Sequence, residues 1–114
     1  MPLLTIHLSS TMNQSLREEA ISEAANSLAH ELGKPASVVM VSLIEKCQLS
    51  LGEFRDNLAL FEIRAIEYPT EKTQALTDHY CGWAEKYLSI PGDHVFVIAE
   101  NVPRGHWGFD RRVF

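Results

Sequence analysis

Cysteine is scarce in this chain, and an excess of basic residues is missing altogether. The two cysteines, Cys47 and Cys81, form no Cys-x-x-Cys pair, which argues against a redox or zinc motif and favours free thiols. The 10 Lys and Arg residues against 15 Asp and Glu give a formal net charge of -5 at pH 7. Because such a chain carries no basic field, we expect it to bind neither nucleic acid nor an anionic membrane.

Signals for membrane insertion, secretion and metal binding are also missing. No uninterrupted apolar run approaches the roughly 20 residues of a membrane span, and the N-terminus lacks a signal-peptide pattern. The five histidines are scattered, and none has the spacing to Cys or carboxylate residues that a metal site needs. We therefore expect a soluble, cytoplasmic protein with no metal site.

The composition provides a sizeable hydrophobic core. Of 114 residues, 46% are hydrophobic and 22% are charged, which suits a single domain over residues 1–114. Alternating apolar residues predict a strand over Leu3–Ser9. A helix follows, opened by Ser15 and Glu18 as a capping box and closed by Gly33. A run rich in β-branched residues over Val38–Glu45 predicts a buried strand.

The second half of the chain repeats this order. After a loop over residues 46–57, the pattern predicts a strand over Leu58–Ile66, a helix over Thr70–Leu88 and a strand over Val95–Glu100. The helix-to-strand joint is Leu-Gly-Lys-Pro at residues 32–35 and Leu-Ser-Ile-Pro at residues 88–91. We interpret the chain as two pseudo-repeat halves, residues 2–45 and 58–101, with a C-terminal segment over residues 102–114.

Two tandem β-α-β units predict an α+β fold, with a four-stranded mixed sheet and both helices on one face. The second face of that sheet then has no cover within the chain. Because the strands carry apolar residues on both sides, we expect this face to be buried against other subunits. The sequence therefore predicts an oligomer.

A Met-Pro start draws attention to Pro2. Cells normally remove an initiator methionine that precedes a small residue, which would leave Pro2 with a free secondary amine. Such an amine acts as a base only when it is unprotonated, and an apolar setting lowers its pKa from the roughly 8 of an α-amino group. A role of Pro2 as an ordinary second residue remains the alternative when the residue is considered alone.

Several short patterns together resemble the macrophage migration inhibitory factor family of the tautomerase superfamily. They are the opening Pro-Leu-Leu at residues 2–4, the turn at residues 32–35, the paired β-α-β halves and the ending from Trp107 to Phe114. The resemblance covers nearly the whole chain. It implies a homotrimer whose three sheets form a barrel, with a cofactor-independent active site at each subunit interface.

The resemblance also assigns roles to individual residues. Pro2 matches the family's catalytic base, which moves a proton between carbon and oxygen of an α-keto acid such as phenylpyruvate. Lys34 matches the lysine that holds the substrate carboxylate, and Ile66 matches a residue whose backbone amide also binds it. Positions that match the family's apolar pocket are Leu3, Val38, Trp107, Phe109 and Phe114. Without the resemblance, Lys34 is a solvated cation at a helix C-terminus and the others are core or interface residues.

Two positions depart from the family pattern in the expected pocket. Phe96 stands where the family has a tyrosine, and Ile98 stands where it has an asparagine. Both changes remove a polar group, so the pocket has lost partners for a ring hydroxyl of the substrate. The family's Cys-x-x-Cys is also absent from residues 58–61, so a thiol oxidoreductase activity is not expected.

Two alternative functions remain at this stage. Dehalogenases and decarboxylases of the same superfamily use arginines and an acidic residue near the third strand, where this chain has Arg64 and Glu67. The arginine pair of those enzymes is absent after Ile66, so Arg64 is better interpreted as a solvated or inter-subunit charge. The other alternative is a non-enzymatic, cytokine-like trimer that acts as an interaction protein.

Overall fold

The computed structural model describes residues 1–114 and contains the predicted strand-helix-strand order twice. A short hairpin follows the second unit at the C-terminal end of the described residues. The elements are β1 Pro2–Leu8, α1 Gln14–Leu32, β2 Met40–Ile44, β3 Ala59–Ile66, α2 Thr73–Leu88, β4 Val95–Val102, β5 Gly108–Phe109 and β6 Arg112–Val113. Neither helix combines the length and the apolarity that crossing a bilayer requires.

The four long strands form one mixed sheet in the order β2-β1-β3-β4. Strand β1 runs parallel to β2 and antiparallel to β3, and β3 runs parallel to β4. Both helices pack on the same face, where side chains of β1, β3, α1 and α2 share one buried cluster. The predicted four-stranded mixed sheet with two helices on one face is therefore confirmed.

The covered face is built by strict alternation along the central strands. Every second residue of β1 and β3 is buried, because successive strand side chains point to opposite faces. The helices are also joined to each other by buried polar groups. The hydroxyl of Tyr80 donates to the carbonyl of Ala24 at 2.9 Å, and the indole N–H of Trp83 donates to the carbonyl of Ala20 at 2.9 Å. The large aromatic residues of α2 thus enter the core with their polar atoms satisfied.

The uncovered face is less apolar than the sequence suggested. Its exposed hydrophobic residues lie on the outer strands, namely Met40, Ile44, Phe96 and Ile98. Its middle is polar, because alternation directs His7, Glu62 and Arg64 away from the helices, and Glu62 lies 3.4 Å from His7 and 3.3 Å from Arg64. The expectation of strands that are apolar on both sides is wrong for the centre of this face.

Some element boundaries also differ from the prediction. The cap of α1 is Asn13, whose side-chain oxygen accepts from the Ser15 amide at 3.0 Å, so Ser15 lies inside the helix. Strand β2 begins at Met40, because a 3-10 turn over Ala36–Val38 follows the helix joint. Val38 therefore stands in a turn beside the sheet and not within a strand.

Candidate active site

A cleft of about 630 Å³ opens at the end of the sheet where β1 begins. Most of its lining is hydrophobic and comes from three separate parts of the chain: the first three residues, residues 37–40 and residues 107–109. The predicted site residues that line it are Pro2, Leu3, Val38, Trp107 and Phe109. This volume and this apolar character are typical of a site for a small organic molecule.

Pro2 is the first residue of β1 and its side chain is fully buried. It pairs with Ala65 of the antiparallel neighbour β3, so its backbone is fixed where most chain termini fray. The nitrogen of Pro2 carries Met1 in this structure and is therefore an amide nitrogen. Removal of Met1 would turn it into an amine at the buried end of the cleft.

The pKa of the Met1 amine, one residue before Pro2, indicates how this end of the chain affects the charge of an amine. Burial lowers the pKa of this amine below that of an ordinary α-amino group, and the positive charge of Lys34 lowers it further. Both causes act on any amine held at this place. They favour its neutral form, which is the form that accepts a proton.

Lys34 owes its position to the end of α1. Gly33 adopts a left-handed conformation with φ of 64°, which ends the helix, and the amide of Lys34 then donates to the carbonyl of Ala29 at 2.9 Å. The Lys34 side chain is exposed and forms no salt bridge with a carboxylate of this chain. Its ammonium group is absent from the cleft lining, but it is free to bind an anion and its charge acts on the Met1 amine.

The C-terminal hairpin forms the opposite wall of the cleft. The amide of Phe114 donates to the carbonyl of Trp107 at 3.0 Å, and the amide of Gly105 donates to the carbonyl of Phe114. Phe114 does not line the cleft itself. Its ring lies nearly parallel to that of Phe109, with 6.4 Å between the centroids and 13° between the planes, so it supports the residue that does.

Besides Lys34 and Phe114, three more predicted site residues do not line the cleft. Ile66 is the last residue of β3, pairs with Val102 and is absent from the cleft lining. Phe96 and Ile98 lie on the uncovered face of β4, with 56% and 44% of their surface exposed. Phe96 lines a smaller cavity of about 110 Å³ at the opposite end of the sheet. Within one chain, these residues do not meet Pro2.

Sequence reasoning missed other residues of the cleft. Ser37, Val39, Met40 and Gly108 also line it. Met40 stands directly opposite Leu3 in the parallel pairing of β1 and β2. Only that register identifies it, since nothing in the sequence sets which residue of β2 faces which residue of β1.

The arrangement combines a buried position for an amine, one free cation and apolar walls. Nowhere in the chain do three or more His, Cys, Asp or Glu side chains form a group able to hold a metal ion. The chemistry that these groups can perform is proton transfer on a bound organic anion.

Comparison with known proteins places this geometry in a family. The sequence profile of the macrophage migration inhibitory factor family matches residues 1–114. Macrophage migration inhibitory factor of Xenopus laevis is 23% identical over 115 residues, covering 100% of this chain and 99% of the relative.

Solved structures agree with this match over the full length. A macrophage migration inhibitory factor homologue from Prochlorococcus marinus is 27% identical, covers 98% of each chain and superposes with a TM-score of 0.90. The protein Pt0534, solved after inactivation by 2-oxo-3-pentynoate, is 20% identical, covers 95% of this chain and 91% of its own, and has a TM-score of 0.82, which shows a shared fold. With the profile matching from the first residue to the last, this chain belongs to the macrophage migration inhibitory factor family.

Proposed function

We propose that this chain is a cofactor-independent tautomerase that interconverts the keto and enol forms of phenylpyruvate-like α-keto acids, with Pro2 as general base. Proteins of its family have tautomerase activity. The observation that carries the proposal is the position of Pro2, which is fully buried and lines an apolar cleft, one residue after an amine on which the charge of Lys34 acts.

The proposed reaction moves one proton. With Met1 removed, the neutral nitrogen of Pro2 takes a proton from the carbon next to the keto group, so the C–H bond breaks and an N–H bond forms. The electron pair moves to the keto oxygen, and the same N–H returns the proton there to give the enol. Burial and the charge of Lys34 lower the pKa of the Met1 amine, and the same two causes would favour the neutral form of a Pro2 amine, which is the form this step needs.

Lys34 and the cleft walls hold the substrate for this step. The ammonium group of Lys34 binds the carboxylate, and Leu3, Val38 and Trp107 enclose the hydrophobic tail. Fixing both ends of the acid brings the reacting carbon to the base and converts an encounter in solution into a reaction within one complex.

The proposal includes a homotrimer. The exposed Phe96 and Ile98 are apolar residues on a sheet face that no part of this chain covers, and burial against a second copy would remove them from water. In such an assembly they would line the cleft of a neighbouring copy, as the family resemblance implies. Sedimentation equilibrium at several protein concentrations tests the assembly, and a monomer at all concentrations contradicts it.

The decisive experiment replaces Pro2 and follows enol formation from phenylpyruvate. We expect Pro2→Ala to lower kcat/KM by at least about 100-fold, the contribution of one positioned base, while the sedimentation behaviour is unchanged. The control is Pro91→Ala, a proline of the helix-to-strand turn in the second half that does not line the cleft, and it should keep the wild-type rate. Full activity of the Pro2→Ala enzyme, or mass spectrometry showing Met1 still attached to an active wild-type enzyme, would contradict the proposal.

A chemical probe gives a readout independent of turnover. A neutral Pro2 amine should add to the triple bond of 2-oxo-3-pentynoate, with the nitrogen bonding to one alkyne carbon and a proton going to the other. Peptide mass spectrometry should then find the adduct on the N-terminal peptide. An adduct only on Cys47 or Cys81 would argue against a reactive amine at Pro2.

The dehalogenase alternative receives no support from the charges it would need. Arg64 lies on the uncovered sheet face, 3.3 Å from Glu62 and 3.9 Å from Glu100. Glu67 accepts two hydrogen bonds from Arg104, at 2.7 and 2.9 Å. Both residues are held in ion pairs outside the cleft. An assay with a halogenated acrylate should therefore release no halide.

The interaction-protein alternative is favoured by the exposed hydrophobic residues of the C-terminal hairpin, Phe109, Val113 and Phe114. These residues would serve a protein partner as well as they serve a substrate. A stoichiometric partner in a pull-down, together with no turnover of any keto acid, would favour this function over the tautomerase.

A further inference from the structure

The C-terminal hairpin carries two arginines that have no acidic partner. Arg111 and Arg112 form no salt bridge and donate no side-chain hydrogen bond. The other arginines are all engaged: Arg17 with Glu45, Arg64 with Glu62, Arg104 with Glu67 and Arg55 with the carbonyl of Gly52. In a chain of net charge -5, two adjacent guanidinium groups without an acidic partner, on the hairpin that contributes Trp107 and Phe109 to the cleft, are therefore a local exception.

The strand pairing of the hairpin assigns Arg112 to the face that lines the cleft. Phe109 pairs with Arg112, and the backbone bond between Phe114 and Trp107 continues the same register. Directly paired residues share a face, as do residues two apart on one strand, so Arg112 lies on the face of Trp107, Phe109 and Phe114. The near-parallel rings of Phe109 and Phe114 agree with this, since diagonal neighbours on one face come within reach of each other.

The turn of the hairpin fixes this position tightly. Asp110 and Arg111 connect the two strands and have φ of 50° and 65°. Two consecutive positive values define the type I′ turn, whose twist matches the flanking strands and leaves no loop between them. Arg112 therefore follows the turn directly, opposite a residue of the cleft wall. Arg112 does not line the cleft itself, but opposed Cβ atoms are about 4.5–5.5 Å apart, so its long side chain starts within reach of Phe109, which does.

We propose that Arg112 is a second anion-binding group of this site, and that it selects α-keto acids whose tail ends in a second acid group. This inference rests on the proposed function. Lys34 binds the carboxylate next to the keto group, the apolar walls hold the carbon chain or ring, and Arg112 binds the acid group at the far end. A guanidinium group suits this task, because its planar donors match both oxygens of a carboxylate.

A pair of substrates that differ only at the tail tests the proposal. Wild-type enzyme should turn over 4-carboxyphenylpyruvate with a lower KM than phenylpyruvate. Arg112→Gln should raise KM for the carboxylated substrate about tenfold, as expected for the loss of one charge-assisted hydrogen bond, and leave kcat unchanged. The same variant should leave phenylpyruvate kinetics unchanged. Arg112→Lys should retain part of the preference, because it keeps the charge and loses the paired donors.

The matched control is Arg55→Gln, which removes an arginine bonded to the carbonyl of Gly52 in the loop between β2 and β3, at the end of the sheet opposite the cleft. This variant should leave KM and kcat unchanged for both substrates. An equal loss on both substrates in Arg112→Gln, or no change on the carboxylated one, would overturn the proposal, since Arg112 would then act on the fold or not at all.

Equilibrium binding separates this inference from the proposed function. By calorimetry, wild-type protein should bind terephthalate about tenfold more tightly than benzoate, and Arg112→Gln should bind the two equally. That result without turnover of either keto acid would overturn the tautomerase and support the anion site. Equal binding of both acids by the wild-type protein would overturn the anion site and leave the tautomerase to the Pro2 experiment.

Discussion

In the first half of the chain the residue after the helix cap is Lys34, whose side chain is exposed; in the second half it is Ile90, which is completely buried. The backbone around the two residues is similar. Gly33 and Ser89 both adopt the left-handed conformation, and the following amides donate to carbonyls of the last helical turns, Lys34 to Ala29 at 2.9 Å and Ile90 to Ala84 at 3.2 Å. Similar backbone turns thus place a cation at one end of the sheet and a core residue at the other.

The strands that follow repeat this contrast. Leu3 lies opposite Met40 in the first half, and Leu60 lies opposite Phe96 in the second, in the same parallel register. The cavity beside the first pair measures about 630 Å³, and the one beside the second about 110 Å³. The fold therefore contains two similar corners of the sheet, a first corner at Lys34, Leu3 and Met40 and a second corner at Ile90, Leu60 and Phe96. Their side chains decide that the first holds a large cavity and the second only a small one.

Placing a charged residue in the second corner should have the largest effect on the free energy of unfolding. Ile90→Lys places a charge where the side chain has no exposed surface, so we expect the free energy of unfolding to fall by about 3 kcal/mol or more. Urea unfolding followed by tryptophan fluorescence measures this. The reverse exchange, Lys34→Ile, should change the free energy of unfolding by less than about 0.5 kcal/mol, since it alters an exposed site. Equal stability losses in the two variants would mean that the corners do not differ.

Removing the cation from the first corner should impair the reaction without unfolding the protein. We expect Lys34→Gln to raise KM for α-keto acids about tenfold, equivalent to about 1.4 kcal/mol. The charge of Lys34 lowers the pKa of the Met1 amine, so we expect its loss to raise the pKa of the Pro2 amine and to move the acid side of the pH profile of kcat/KM to higher pH.

Lys46→Gln serves as control, since Lys46 lies just beyond the last residue of β2, at the end of that strand opposite Met40 and the cleft. It should change neither KM nor the pH profile. An unchanged pH profile in Lys34→Gln would mean that Lys34 does not influence the pKa of the catalytic amine, even if KM rises.

The two helix caps should respond in opposite directions, and this is the smallest effect. An added Cβ at Gly33 would meet no atom within 4 Å, so Gly33→Ala introduces only backbone strain and should lower the free energy of unfolding by about 1 kcal/mol. Ser89→Gly relieves the same strain at φ of 55° and should raise it by about 0.5 kcal/mol. Thermal unfolding of both variants checks this. A shift of the same sign in both would show that the caps are not equivalent.

Much of the fold followed from local patterns. The period of two in β1 and β3 and the apolar stripes of the helices were sufficient to predict the four-stranded sheet. The cap of α1 was assigned to Ser15 and belongs to Asn13, because two neighbouring residues both have capping side chains and only the backbone geometry distinguishes them. The sequence does not predict the polar centre of the uncovered face, because only the pairing of β1 with β3 brings His7, Glu62 and Arg64 together there.

The sequence by itself determined the repeated β-α-β order, the helix ends at Gly33 and Ser89, and Pro2 and Lys34 as candidates for chemistry, since each depends on residues close together in the chain. Only the tertiary structure decided that residues 1–3, 37–40 and 107–109 share one cleft and that Arg112 lies on the face of Phe109. Those facts depend on strand register and on the turn at Asp110 and Arg111, which bring distant residues together. Local periodicity predicts that a strand has two faces, but pairing across the sheet decides what each face meets.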